Sequence, residues 1–103
     1  MDLKALGESL GLEESEFIEI VEIFLETAYM DVKKLEDAHR SQDPKAVSEA
    51  AHSLKGAAAN LGFMEMASLS SKLEASAIKK DISGVPSAIP LLHGLLTQIK
   101  DTM

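Results

Sequence analysis

In the run Ala51-His52-Ser53-Leu54-Lys55-Gly56-Ala57-Ala58-Ala59-Asn60-Leu61-Gly62 one histidine stands where it is useless for packing and open for chemistry. Val47, Ala51, Leu54, Ala58 and Leu61 follow steps of four, three, four and three and share one apolar helical face. His52 projects about 140° from the centre of that stripe. It lies roughly in line with Ser48, Lys55, Gly56 and Ala59 at i−4, i+3, i+4 and i+7. A free imidazole titrates near pH ~6.5, so a solvent-facing one is substantially neutral at cellular pH and carries a nucleophilic nitrogen. Gly56 costs about 1 kcal/mol relative to alanine inside a helix, which suggests that another molecule must approach the backbone here. Ala59 continues the clearing, Lys55 supplies a cation beside the ring, and Ser48 and Asn60 offer polar contacts. No carboxylate lies at i+3 or i+4 of His52, no second histidine sits at metal spacing, and no serine–histidine–acid set is evident. The residues describe a nucleophile that awaits a partner's active site.

The pattern resembles the histidine-containing phosphotransfer (HPt) domain of two-component phosphorelays. The residues that carry the resemblance are His52, Leu54, Lys55, Gly56, Leu61 and Gly62, preceded by Ala51. Ser41-Gln42-Asp43-Pro44 matches the short turn before the family's histidine helix, and Leu73-Glu74 matches a Leu-Glu near the end of the next helix. The resemblance implies that His52 is a phosphoacceptor, normally through its outer nitrogen Nε2, with Lys55 screening the phosphoryl oxygens. It implies receiver domains as partners, in response regulators and in a hybrid sensor histidine kinase, and reversible transfer between their aspartates and His52.

Phosphoryl transfer depends on alignment and on stabilising the equatorial oxygens, usually with a metal ion. No carboxylate cluster surrounds His52 in sequence, so the expectation is that this chain has no cofactor or metal of its own. Mg2+ and the acid cluster would belong to the partner receiver. The chain shows no glycine-rich phosphate loop or Walker-type motif, and the expectation is a phosphocarrier rather than an enzyme.

Composition narrows the remaining classes. A chain of 103 residues suits one domain, expected to span 1–103. Apolar residues make up 46% with only three Phe and one Tyr, so the core must be aliphatic, which favours helices over a sheet. Acidic residues outnumber basic ones by 17 to 10, for a net charge of −7, against nucleic acid and anionic membranes as partners. The early run Glu13, Glu14, Glu16, Glu19, Glu22 and Glu26 reads as a solvated helix face. There is no cysteine, which suits a cytoplasmic protein, no apolar run of the roughly 20 residues that cross a bilayer, and no signal-peptide order at the start.

The positioning elements follow from periodicity. A short helix is expected from Asp2 to Leu10, closed by Gly11, and a long one from Glu13 to Ser41 with Phe17, Val21, Phe24, Ala28, Val32 and Leu35 as its core stripe. Ile18 and Leu25 widen that stripe and are expected to contribute to an exposed apolar partner patch. The histidine helix runs from Pro44, capped by Asp43, to Leu61, and Gly62 ends it. A fourth helix covers Phe63–Lys80, with Met66, Leu69, Leu73 and Ala77 inward and Lys79 and Lys80 at the negative end of its dipole. The last carries Val85, Ile89, Leu92, Leu96, Ile99 and Met103; Pro86 and Pro90 both fit near its beginning, so Ser83 and Ser87 compete as its cap. The fold class is all-α: an antiparallel up-down four-helix bundle with a short extra N-terminal helix.

Three other readings compete. A module that binds receivers or kinases without carrying phosphate would be marked by loss of His52, which is present. The phosphoacceptor segment of a chemotaxis-type kinase would be accompanied by dimerisation and ATP-binding motifs, and none is in this chain. A metal-carboxylate bundle needs paired Glu-x-x-His motifs, and Glu49-Ala-Ala-His52 occurs once, pointing outward. His39 and His93 lack the Lys-Gly context, and Met64 and Met66 read as packing. The stripes suffice to close one bundle, so a monomer is expected, although surplus apolar residues such as Leu91 leave a dimer open.

Overall fold

The computed structural model describes residues 2–103, in which α1 (Leu3–Ser9), α2 (Glu14–Arg40), α3 (Pro44–Asn60), α4 (Met64–Ile78) and α5 (Val85–Thr102) account for the regular structure and no strand occurs. Helices α2 to α5 form the antiparallel bundle, each packed on its neighbours in the order α2, α3, α4, α5 and back to α2, while α1 lies at one end against α2. The molecule measures 42 × 20 × 17 Å. Its long dimension is that of α2, whose 27 residues rise about 1.5 Å each.

The helices begin and end where side-chain chemistry dictates. Asp2 Oδ1 accepts from the Ala5 N–H at 3.0 Å and Asp43 Oδ1 from the Ala46 N–H at 3.1 Å, satisfying first-turn donors of α1 and α3. At the start of α2 the Glu13 N–H donates to Glu16 Oε1 at 3.1 Å, the returning half of a capping box. Gly62 takes a left-handed φ of 82° just past α3. The Phe63 N–H then reaches back to the Ala58 carbonyl at 2.9 Å. That closure makes the turn to α4 tight, so α4 runs back along α3, and these two helices pack most closely of all.

The core is the union of the stripes. Val21, Val32, Leu35, Val47, Leu54, Leu92 and Leu96 have no exposed surface, and Phe24 and Phe63 meet with ring centroids 5.2 Å apart. Helix α1 is held close by absence of a side chain: a Cβ on Gly7 would stand 2.9 Å from Phe17 Cβ.

Three details depart from the sequence reading. Neither Ser83 nor Ser87 caps α5; Gly84 precedes it, with no capping side chain. Ser83 is spent on its own turn, its N–H and hydroxyl donating to Asp81 Oδ1 at 3.0 and 2.6 Å. Pro86 therefore falls in the first turn and Pro90 inside the helix, where the missing N–H is tolerated because the same turns bury Val85, Ala88 and Leu92. Helix α4 stops at Ile78, so Lys79 and Lys80 lie beyond its last turn, Lys80 with φ 66°. Leu25, about 60° from the centre of the α2 stripe, is only 8% exposed and belongs to the core, so it contributes nothing to an exposed patch.

Candidate functional site

His52 projects from the middle of α3 with 69% of its side chain exposed. The tight α3–α4 turn brings Glu74, one residue beyond the buried Leu73, to its side. Glu74 Oε2 lies 2.6 Å from His52 Nδ1, and Glu74 Oε1 lies 2.5 Å from Lys55 Nζ. The Glu74 side chain is 16% exposed against 35% for Lys55. One carboxylate thus bridges the imidazole and the ammonium, a full helix away from either in sequence.

The electrostatics fix the roles. The Lys55 hydrogen bond holds the Glu74 carboxyl below its ordinary value of 4.5; partial burial opposes that shift and His52 reinforces it. An ionised carboxylate can only accept. Nδ1 must therefore carry the proton, and in the neutral ring the lone pair resides on Nε2, which the carboxylate does not engage. The absent i+3 or i+4 carboxylate is supplied by tertiary structure.

Around the ring the surface is low. Gly56 and Ala59 are exposed, and a Cβ built on Gly56 meets no atom within 4 Å. Asn60 is exposed at the last position of α3. Ser48 is half-buried, and its hydroxyl donates to the Lys45 carbonyl at 2.9 Å, within its own helix. On the other side of His52, Ser53 donates to Asp31 Oδ2 at 2.9 Å; Asp31 is a carboxylate only 3% exposed in the face of α2. This bond pins α2 to α3 at the level of the histidine.

The family model for the Hpt domain matches residues 19–102. The chain belongs to the Hpt domain family. Membership brings histidine phosphotransfer in phosphorelays as the class of function. The fold is similar to the crystal structure of histidine-containing phosphotransfer protein B (HptB) from Pseudomonas aeruginosa PAO1, with a TM-score of 0.80 and 25% identity, over 94% of this chain and 82% of that one. No curated protein sequence matches.

In this Hpt domain, His52, Lys55, Gly56, Ala59 and Asn60 share one accessible surface, with Ser48 at its edge. Ile18 does not join them. It is half-buried in a cleft with Leu3, Phe17 and Met103, about 20 Å along α2 from the Asp31–Ser53 bond. The large exposed apolar residues of α2 include instead Ile20 (38% exposed), Ile23 (64%) and Met30 (61%), and of these Ile20 lies about 20° around the helix from Asp31, on the side that meets α3. Glu74 and Asp31 are what reading along the helix missed. Glu74 had a signal in the Leu73-Glu74 pair, but its role comes only from the packing of α4 on α3. Among the described residues no group of three or more His, Cys, Asp or Glu side chains is placed to hold a metal ion, and no helix is long and apolar enough to cross a membrane.

Proposed function

We propose that His52 is the phosphoacceptor of a multistep relay and that Nε2 is the atom modified. The observation that carries this reading is the bond from Nδ1–H to an ionised Glu74 beneath an otherwise uncrowded ring. The Nε2 lone pair attacks the phosphorus of a receiver's aspartyl phosphate. The bond from phosphorus to the aspartate oxygen breaks, and the aspartate departs as a carboxylate. No proton has to move: the ring keeps Nδ1–H and becomes a phosphorylated imidazolium, whose positive charge lies against the Glu74 carboxylate. Glu74 thereby orients the ring and offsets the charge that appears on it, as the acid partner of a catalytic histidine does in hydrolases. In reverse the same bond breaks towards a second receiver's aspartate.

Lys55 takes a different part from direct screening of the phosphoryl group. Its ammonium is committed to Glu74 Oε1, where it keeps the carboxylate ionised and aimed at the ring. The low surface at Gly56 and Ala59 lets a receiver loop reach Nε2, and exposed apolar residues of α2 such as Ile20 and Met30 offer an apolar margin on which the receiver rests. The partner supplies its aspartate and Mg2+, and transfer involves no nucleotide and no kinase activity of this chain. The domain works as a monomer in the cytoplasm, between a hybrid sensor kinase and a response regulator.

The test is incubation with a receiver domain phosphorylated on its aspartate. Transfer to the wild type and none to His52→Gln is the expected result. A complex that forms without transfer to the wild type would instead make this a binding module.

A further inference from the structure

We infer that the seam between α4 and α5 is a second binding surface, for a short amphipathic helix of another protein that is basic towards its N-terminus. Of the neighbouring pairs in the bundle, α4 and α5 pack most loosely. Two grooves lie along their seam, of about 570 and 400 Å3, and they share Glu65 and Leu95. The first is walled by α1 and the α3–α4 turn, through Leu6 and Phe63; the second runs past Leu69 and Gly94 to Pro90. Met64, 64% exposed, and Leu91, 58% exposed, stand one in each groove. Between Pro90 and Gln98 the floor extends about 12 Å along α5, and α1 lengthens it, which suits an occupant of about ten residues or three helical turns. Apolar anchors at i, i+3, i+4 and i+7 fit such a channel.

Charge settles the direction of the occupant. The charged residues of the groove beside α1 are Asp2 and Glu65, both acidic, and the other groove adds Lys72. The positive end of a helix dipole, reinforced by basic residues, belongs at the acidic end, and its negative end belongs near Lys72. A second copy of this chain, with net charge −7, is a poor match for the acidic end. The surface is also independent of His52: Lys72 and Glu74 project about 160° apart on α4, so an occupant of the seam leaves the imidazole free.

The test is a titration of the whole 15N-labelled chain with two synthetic twelve-residue peptides, acetylated and amidated, with leucines at the four anchor positions. One carries lysines in its first half and glutamates in its second, and the other has the charges exchanged. Intrinsic helix stability favours the exchanged peptide, so the comparison is weighted against the inference. The expected result is shift changes confined to the seam and affinity at least fivefold higher for the lysine-first peptide. A Gly94→Leu variant fills open space next to which a Cβ meets no atom within 4 Å, and it should lose binding at least tenfold while His52 is still phosphorylated by phosphoramidate. Equal or reversed affinities, shifts spread over the acidic face of α2, or indifference to Gly94→Leu would overturn the inference. Concentration-dependent shifts at the seam without peptide would also overturn it, by making a second copy the occupant.

Discussion

The bridging carboxylate gives His52 a definite tautomer, and Glu74→Gln tests what that is worth. The amide keeps the shape but not the charge, and it can present either an oxygen or an NH2 to Nδ1. Transfer to the variant should fall about 10- to 100-fold, by analogy with the loss of outer partners of functional histidines. The 15N shifts of the ring should move from the Nδ1–H form towards a mixture of tautomers; an unchanged rate with unchanged ring shifts would reduce Glu74 to a solvated acid. The same residue gives a pH prediction. Its folded pKa lies below 4.5, so its contribution to stability is complete above that value and disappears as the pH falls through the lower folded one. Urea midpoints of the wild type and Glu74→Gln should differ at neutral pH and converge in acid. At this scale the sequence shows His52, Lys55 and Gly56, because they lie within one turn of a single helix. It does not show that Glu74 reaches the ring or that Asp31 reaches Ser53, since both meetings are made between helices 22 residues apart in the chain.

At the scale of the elements, α3 presents a low shelf and α4 a support for the ring. Ala59→Leu raises the shelf at an exposed position and should leave stability within about 0.5 kcal/mol. It should nevertheless slow transfer from a receiver at least tenfold while leaving reaction with phosphoramidate unchanged, because only the larger donor needs the clearance. Equal rates for both donors would remove the argument from clearance. Helix α5 carries its own test: Pro90 interrupts the backbone ladder four residues after Pro86. Pro90→Ala should raise unfolding free energy by roughly 1–3 kcal/mol in urea titrations, and a loss would mean that the proline ring is needed for packing. The stripes of α2, α3 and α5 and the caps Asp2 and Asp43 are legible in sequence because each depends on residues within a turn or two. The start of α5 is not, because Asp81 competes successfully for Ser83. Nor is the burial of Leu25, which depends on how wide an arc of a long helix its neighbours cover.

For the whole molecule, the proposed function makes the bundle a presenter of one side chain and assigns the reacting metal to the partner. Chelation by EDTA should therefore abolish transfer between a receiver and this domain. It should leave phosphorylation by phosphoramidate and the thermal unfolding of the isolated domain unaltered. A fall in unfolding temperature on chelation would show a metal in this chain and contradict that division of labour. The net charge of −7 and the all-helical class are legible from composition alone, whereas the seam between α4 and α5 appears only once the helices are placed side by side.

The most direct test of the central claim is intact-protein mass spectrometry after incubation with phosphoramidate, comparing the wild type with His52→Gln. The account predicts one acid-labile phosphoryl group on the wild type and none on the variant. A folded wild type that gains no phosphate, or a variant that gains as much, would contradict it.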